Sequence, residues 1–561
     1  MAQLDRLSAT DASFLHQERE SSHMHIGGAA VFAGPAPSLE EFLAHLEVRL
    51  AGLPRYRQKL AFGTLGPRWV DDPNFDLRFH VRAAALPSPA GDAELAVFIA
   101  QVAGQRLDRH RPLWECWLVE AGPEHFALVF KSHHAMVDGV SNFDLATVLL
   151  DLEPGGAASG FGLGSSGGWS PRSAPTRRDL LVADARDAAG LGLGLAGRAL
   201  GAALRPGRAV REAVEIAQGV GEFAWAALNP APATPLNVEI GPHRRYALVH
   251  QQLADYKTVK DTFGGTVNDV VLTVVSGALR RWFVARDEPV EELELRALVP
   301  VSVRGSDEHG TMGNRLTLFR APLPLGVEDP VAALGVVRGA MQDLKDSRQA
   351  VGAASLAAAA QIAPPGVLAQ ASRLQFSTRL FNLLVTNIPG PQFPLYLLGR
   401  RAEAMYPLPF LAEHHGLAVA IISYDGGLEY GLLGDYAALA DLDVIAEGIE
   451  ATLEELLAAA AAAAAVRRTR RARPATRAGR PRRAAAPRLA APSETAAPPA
   501  PGSEAPAPPE PDAAAPSEPD GAAPSEPDAA APRLTETPLM ASTTRRGRGP
   551  ASDMRARHRR H

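Results

Sequence analysis

The heptapeptide His133-His134-Ala135-Met136-Val137-Asp138-Gly139 lies between an apolar, strand-like run at residues 126–130 and a helix-like run at residues 140–150. A neutral imidazole at the end of a strand can accept a proton from a hydroxyl group. Adjacent strand side chains point to opposite faces, so only one of these histidines can serve a given site. Asp138 can hold the turn that orients the ring, and Gly139 allows close approach of a substrate. The stretch predicts a strand–turn–helix unit carrying a general base; the alternative is a hydrogen-bonded turn without a catalytic role.

Length and composition set the limits for the rest of the chain. Its 561 residues suffice for two domains with complete cores, and 46% hydrophobic residues is close to the globular average. A net charge of −5 gives no overall signature of nucleic-acid binding. The single cysteine, Cys116, excludes an intrachain disulfide, fits a reducing compartment and is expected to be a buried thiol. We expect neither a secretory signal nor a transmembrane helix, so an enzyme acting on lipid would work from the membrane surface.

Residues 1–155 have the pattern of a mixed α/β domain. A helix is predicted at residues 39–50, with Ser38 as N-cap and acidic residues in its first turn. Two strands are predicted at residues 113–119 and 126–132, joined by a turn at residues 121–124. The histidine motif follows the second strand.

A linker is predicted at residues 156–235. Its first part is rich in Gly, Ser and Pro, and residues 179–226 contain helically spaced Leu and Ala with scattered Arg. We interpret this part as a helical inter-domain linker; a basic amphipathic helix on an anionic membrane is the alternative.

Residues 236–466 are predicted to form a second α/β domain. Its elements are a helix at residues 267–283, capped by Thr266 or Asn268, strands at residues 293–301 and 383–386, and a closing helix from about Asp441. A second histidine pair, His414-His415, lacks an Asp-Gly at the motif's spacing. We expect this pair to serve in domain packing or in lining a channel.

The last segment, residues 467–561, changes character. Ten arginines between Arg467 and Arg488 precede an acidic region rich in Pro, Ala and Ser that contains a short repeat. No apolar face offsets the entropy of ordering, so a disordered tail is expected. The basic block is either a solvated tail without a specific contact or a segment that touches anionic lipid or nucleic acid.

Several further segments carry a resemblance to the bacterial wax ester synthase/diacylglycerol acyltransferases, within the chloramphenicol acetyltransferase-like superfamily. In addition to the HHxxxDG motif, they are residues 7–15 and 24–28, Pro112-Leu113-Trp114, residues 236–237 and 241–245, residues 268–272, residues 300–304 with 313–314, and residues 386–391. The order and spacing of these segments run through nearly all of the chain before the tail. The motif alone does not separate this family from peptide condensation domains, but the segments together do.

The resemblance implies an α/β (α+β) fold of two chloramphenicol acetyltransferase-like domains joined by the helical linker. It implies acyl transfer from acyl-CoA, as co-substrate and without a cofactor or metal, to the hydroxyl of diacylglycerol, with a long-chain fatty alcohol as the alternative acceptor. A peptide-condensation enzyme and a non-catalytic lipid-droplet coat protein are the competing hypotheses. The expected location is the cytoplasm, on the inner membrane face or on lipid droplets, with no specific nucleic-acid partner.

The resemblance also suggests roles for individual residues. His134 would be the general base, and His133 and Asp138 would support the turn beside Gly139. Asn268 would stabilise the oxyanion, unless it is only a helix cap. Substrate-binding roles fall to Asp269 and to Pro112, Leu113 and Trp114, with the start of a core strand as the alternative for the latter three. The active site is expected in a channel between the two domains.

Overall fold

Two six-stranded mixed sheets form the frame of the molecule in this computed structural model. The structure describes residues 4–136, 149–155, 170–204, 207, 229–302, 316–346 and 376–472. In chain order the strands and α-helices of these residues are β1 (Asp5–Arg6), α1 (Ala9–Gln17), β2 (His25–Ala33), α2 (Leu39–Arg49), β3 (Gln58–Gly63), β4 (Gly66–Asp71), β5 (Val81–Ala85), α3 (Asp92–Gly104), β6 (Trp114–Glu120), β7 (His125–His133), α4 (Arg177–Leu204), β8 (Arg244–Gln252), α5 (Leu253–Phe263), α6 (Val267–Ala285), β9 (Glu294–Ser302), β10 (Leu316–Pro324), α7 (Pro330–Asp346), β11 (Leu383–Pro389), β12 (Tyr396–Leu397), β13 (Arg400–Leu408), β14 (Leu417–Tyr424), β15 (Gly427–Asp435) and α8 (Leu442–Ala472).

The first large sheet has the strand order β12-β13-β2-β7-β6-β5, and β1, β4 and β3 form a small separate sheet. The predicted strands before the histidine motif are confirmed as β6 and β7, which pair antiparallel. Strand β2 pairs with β7 so that His25 lies opposite His133. A Cβ atom on Gly27 would overlap the carbonyl oxygen of Phe130, so this close strand approach requires glycine.

The predicted helix that follows β2 is also confirmed. Helix α2 begins after Ser38, whose hydroxyl accepts a hydrogen bond from the Glu41 backbone while the Glu41 carboxylate accepts one from the Ser38 backbone. Cys116 is buried in β6, as expected. The predicted helix at residues 140–150 lies almost wholly outside the described residues.

The second large sheet has the order β10-β9-β11-β14-β15-β8, with β11 parallel to β9 and β14. Helices α5, α6, α7 and α8 pack around a core with members of this sheet. The predicted capping alternatives for α6 resolve to Thr266, which forms a capping box with Asp269. The predicted closing helix is confirmed as α8, whose side chains Ile445, Ile449 and Leu456 are fully buried.

The two halves are joined by more than the linker. Strands β12 and β13 belong to the second half in sequence, yet β13 pairs with β2 in the first sheet. A third apolar cluster then draws on both halves, with Ile99 and Val129 from one and Leu298 and Leu433 from the other. The histidine motif lies at the edge of this shared cluster because β7 ends there.

Helix α4 is anchored on the first half at its beginning. The guanidinium of Arg68, which is 1% exposed, pairs with the carboxylates of Asp184 and Asp187 at 2.7 and 2.6 Å. In the described residues no single helix reaches the length and hydropathy of a membrane span, although α5 and α6 pass that test as a pair bent by 101°. The Gly-rich start of the linker, its later basic part and the tail beyond residue 472 lie outside the described residues.

Candidate active site

The two histidines of the motif lie where β7 ends and a short 3-10 helix, His134–Met136, begins. The His133 amide donates to the carbonyl of Leu113 at 2.9 Å, and the His134 amide donates to the carbonyl of Met24 at 2.9 Å. Neighbouring strands therefore fix both residues through their backbones. Asp138 and Gly139, to which the sequence assigned the turn and the close substrate approach, lie outside the described residues.

The His133 ring is fully buried and supports the turn through its nitrogens. Its Nδ1 accepts the backbone N–H of Ala135 at 3.0 Å, so the neutral ring carries its proton on Nε2. That Nε2 lies 3.5 Å from Oε2 of Glu18. Burial lowers the pKa of His133, with Glu18 opposing the shift. The neutral tautomer keeps the bond to Ala135 and turns its N–H towards the Glu18 carboxylate without a formed hydrogen bond, whereas a second proton would break the bond to Ala135.

Glu18 is the buried carboxylate of this site, and the sequence did not reveal it. Its side chain is 1% exposed and lies just beyond the end of α1. Arg109 donates from Nε at 2.7 Å, and Arg106 donates from Nη2 at 3.1 Å. Burial would raise the pKa of Glu18, but His133 and Arg109 outweigh it and lower the pKa to about 2. The carboxylate is therefore ionised at neutral pH and holds the His133 proton in place.

The His134 ring has a mostly aromatic environment. Phe14 stacks on it with ring centroids 3.8 Å apart, and Phe410 meets it edge-on at 5.8 Å. Burial lowers the pKa of His134 to about 4, while a hydrogen bond to its own carbonyl works in the opposite direction. The ring is thus neutral at physiological pH and has one nitrogen lone pair, as a proton acceptor needs.

The three residues Pro112, Leu113 and Trp114 are buried at the start of β6. Trp114 is 2% exposed, donates from Nε1 to the carbonyl of Tyr56 at 2.8 Å and stacks on His80. The carbonyl of Leu113 accepts the His133 amide, so this segment contacts the motif through its backbone. The structure places these side chains in the core of the first half.

Asn268 and Asp269 lie in the first turn of α6, in the second half. The Asn268 side-chain oxygen accepts a hydrogen bond from Asn387 at 3.3 Å, which joins two segments far apart in sequence. Asp269 accepts the Thr266 amide at 2.8 Å. Within the described part of the chain, no hydrogen bond or ring contact joins Asn268 or Asp269 to His134.

Other catalytic chemistries find little support in the described residues. The pKa of the Cys116 thiol is raised by burial, so this group is not a thiolate nucleophile. Within the ranges described, no group of three or more His, Cys, Asp or Glu side chains is arranged to hold a metal ion. The geometry of the described residues therefore favours general-base catalysis by His134.

Sequence reasoning missed the neighbours of the motif for an identifiable reason. Phe14, Glu18 and Met24 precede the motif by more than a hundred residues and reach it only through the pairing of β2 with β7. The segments at residues 7–15 and 24–28 were singled out for their resemblance, and they contain or flank all three. That resemblance was the available signal, but it did not assign roles to these residues.

Comparison with known proteins agrees with this geometry. Residues 7–271 match the family model described as the wax ester synthase/diacylglycerol acyltransferase catalytic domain, and residues 312–457 match its C-terminal domain. A probable diacylglycerol O-acyltransferase of Mycobacterium tuberculosis is 34% identical over 473 residues, which is 83% of this chain and 98% of the relative. A second probable diacylglycerol O-acyltransferase of that organism is 30% identical over 81% of this chain and 99% of its own length.

Solved structures give the same result. A wax ester synthase/diacylglycerol acyltransferase from Marinobacter aquaeolei superposes with a TM-score of 0.58 and 28% identity, covering 82% of this chain and all of the relative. A trichothecene 15-O-acetyltransferase from Fusarium sporotrichioides shares the fold at a TM-score of 0.50 and 13% identity, over 80% of this chain and 94% of its own.

Proposed function

The chain belongs to the wax ester synthase/diacylglycerol acyltransferase family, and from this premise we propose that it transfers a long-chain acyl group from acyl-CoA to the hydroxyl of diacylglycerol. The observation that carries the proposal is the neutral His134 ring, held between Phe14 and Phe410. The names of the mycobacterial relatives support diacylglycerol as the acceptor. The name of the Marinobacter structure supports a long-chain alcohol as an alternative acceptor.

In the proposed reaction the lone-pair nitrogen of His134 removes the acceptor's hydroxyl proton as the oxygen attacks the thioester carbonyl carbon. The tetrahedral intermediate collapses, the carbon–sulfur bond breaks, and the CoA thiolate takes the proton from His134. The products are triacylglycerol and CoA, and the balance requires no cofactor. General-base catalysis of this kind contributes about 10²–10⁴-fold, and positioning of the two substrates supplies much of the rest.

The groups around His134 have positioning roles in this scheme. His133 holds the turn through Ala135, and Glu18 holds the His133 tautomer. Asn268 remains our candidate for stabilising the oxyanion, because its amide lies in the first turn of α6, where the helix dipole favours negative charge. Asp269 would then serve the acceptor site indirectly, by fixing that turn.

The test is acyl transfer by the purified full chain from palmitoyl-CoA, with diacylglycerol and hexadecanol offered separately. The wild type should form triacylglycerol, with wax ester as the alternative product, and His134→Ala should lose at least about 10²-fold in rate. A mutant as active as the wild type would contradict the assigned base. Absence of product from both acceptors would contradict the proposed reaction.

We further propose that the protein works at the surface of the inner membrane leaflet or of lipid droplets, from the cytoplasmic side. Helix α4 supports this because its large apolar side chains Leu181, Leu193 and Leu204 are at least 60% exposed. The arginines from Arg467 onward would add attraction to anionic lipid.

Vesicle flotation tests this location. Binding to vesicles containing anionic lipid should exceed binding to neutral vesicles, and replacing Leu193 and Leu204 by Ser should weaken both. Equal recovery of wild type and variant from the lipid fraction would contradict a role for α4, and no recovery of the wild type would contradict surface binding.

A further inference from the structure

A small cavity lies beside the His134 ring, between the two halves of the molecule. Its volume is about 10 Å³, room for one water-sized group, and it is lined by His23, Met24, His25, Arg244, Phe410 and Leu433, among others. Two of these residues are also immediate neighbours of the motif: the Met24 carbonyl accepts the His134 amide, and Phe410 meets the His134 ring edge-on. The cavity and the proposed general base therefore share Met24 and Phe410 as neighbours.

His25 is the polar residue of this wall that has neither ring nitrogen in a hydrogen bond to the described residues. The residue is 4% exposed, and among the described residues neither its Nδ1 nor its Nε2 has a hydrogen-bond partner. A buried polar group without a partner costs free energy, so a ligand that supplies a partner to His25 would gain that free energy on binding.

The other polar groups of the wall are wholly or partly engaged. Arg244 donates to the carbonyls of Gly241 and His243 at 2.6 and 2.9 Å and also to the carbonyl of Ser21. His23 has Nε2 at 2.8 Å from the carbonyl of Glu20, while its Nδ1 has no hydrogen-bond partner among the described residues. A group that enters the cavity therefore finds both nitrogens of His25, and Nδ1 of His23, as available polar contacts.

The charges around His25 favour an oxygen acceptor over a donor or a cation. Burial lowers the pKa of His25 well below its ordinary value, with Lys131 and His133 adding to the shift. The neutral ring has one N–H to donate, and the ammonium of Lys131 makes the surroundings positive. The remaining wall is apolar, from Met24, Phe410 and Leu433, which suits a small uncharged group such as an ester carbonyl.

We propose that His25 donates a hydrogen bond to an ester carbonyl oxygen of the acyl acceptor and thereby selects acceptors that carry an ester beside the reacting hydroxyl. The proposal rests on the proposed function. On diacylglycerol the free hydroxyl and the neighbouring ester carbonyl are only a few bonds apart, so one molecule can contact both His134 and the adjoining cavity. A long-chain alcohol has no such carbonyl and makes no use of His25.

The experiment compares three acceptors with palmitoyl-CoA and the purified full chain: dioleoylglycerol, the dioleyl glycerol diether that lacks both carbonyls, and hexadecanol. In the wild type, kcat/KM for the diester should exceed that for the diether by about 5- to 10-fold, the value of one neutral hydrogen bond. In His25→Leu this ratio should fall to near one, while rates with the diether and hexadecanol stay within about twofold of the wild type.

Two further variants make the result specific. His110→Leu makes the same change at an exposed histidine outside the cavity wall and should leave the diester-to-diether ratio unchanged. His25→Asn retains an N–H donor and should recover part of the ratio; it also serves if His25→Leu folds poorly, as judged by thermal unfolding.

Each remaining outcome overturns the inference. A wild type that uses the diester and the diether equally, or a His25→Leu variant that loses activity on all three acceptors in parallel, would show that His25 does not read the ester. Those results leave the proposed function standing. Absence of product from every acceptor in the wild type would overturn the proposed function and this inference together.

Discussion

The chain contains two adjacent histidine pairs, His133-His134 and His414-His415, and their surroundings differ in the feature that matters for catalysis. The second ring of the later pair, His415, is buried with Nδ1 2.8 Å from the carbonyl of Glu413 and Nε2 3.2 Å from the carbonyl of Phe381. The His134 ring stacks on Phe14, as His415 stacks on Phe381, but it hydrogen-bonds its own carbonyl. Carbonyl oxygens of the fold thus face both nitrogens of His415, one of which donates in the neutral ring, whereas among the described residues His134 keeps a nitrogen for a substrate.

The two rings nevertheless have similar acidity. Burial lowers the pKa of His134 and of His415 to about 4 in each case. A shifted pKa therefore reports burial and does not by itself identify an active site. The partners of the ring nitrogens distinguish a proton acceptor from a packing residue.

The same substitution at both positions should separate catalysis from stability and should give the largest effect. His134→Leu should lower the rate of acyl transfer by about 10²–10⁴-fold, because the base is lost, with little change in folding. His415→Leu should destabilise the protein by about 1–3 kcal/mol, because the carbonyl that accepts its ring N–H, of Glu413 or of Phe381, loses its donor. Turnover per folded molecule should stay near the wild-type value.

Initial rates and urea unfolding of both variants check this contrast. A His415→Leu protein that is stable but inactive would place the second pair in the reaction. A His134→Leu protein that unfolds as readily as His415→Leu would mean that the first ring is also needed for packing.

Glu18→Gln should give an intermediate effect that belongs to the first pair alone. Removing the carboxylate leaves Arg109 and the His133 proton without their charged partner, and we expect a loss of about 2–4 kcal/mol in the free energy of unfolding at pH 7. Because the folded-state pKa of Glu18 is lowered, its stabilisation is present above the ordinary value of 4.5 and is lost as pH falls towards 2. The stability difference between wild type and variant should therefore shrink below pH 4.5.

Urea unfolding at pH 7 and at pH 3.5 provides the measurement, with the exposed Glu40→Gln as matched control. Glu40 pairs with Arg78 on the surface, where solvent screens the pair, so its loss should change the free energy of unfolding far less than the loss of Glu18. A Glu18→Gln protein as stable as this control would show that the buried carboxylate does not stabilise the turn of the motif.

The difference between local and distant information explains what the sequence could predict. Helix α2, with its Ser38–Glu41 capping box, and the β6–β7 hairpin depend on neighbours in the chain, and both were predicted correctly. The assignment of Thr266 over Asn268 as the cap of α6 needed the hydrogen bonds themselves. Patterns of apolar and polar residues predict the presence of helices and strands well, and the residues at which they begin and end less well.

Contacts between residues far apart in the chain could not be predicted, because local sequence patterns do not show which strands pair. No periodicity indicates that β13 leaves its own half to pair with β2, or that Glu18 lies against His133. Both contacts depend on which strands become neighbours, and the packing of the two whole sheets determines which strands these are. Asp138, which the sequence favoured as the carboxylate of the turn, lies outside the described residues, and Glu18 is the carboxylate that the structure places beside His133.

The smallest expected effect is an absence of change over a pH range in which an ordinary histidine would titrate. His134 must be neutral to accept a proton, and with a pKa of about 4 it stays neutral down to about pH 5. The kcat/KM for acyl transfer should thus be flat between pH 7 and 5 and decline only near pH 4. Replacing Phe14 by Ser would admit water to the stacked face of the ring, raise the pKa of His134 towards its ordinary value of 6.5 and move the decline upward. A wild-type profile that already declines near pH 6.5, with the fold intact by circular dichroism, would show that the His134 ring is solvated in the working enzyme. The difference between the ring-nitrogen partners of His134 and of His415 would then not explain why only the first pair is catalytic.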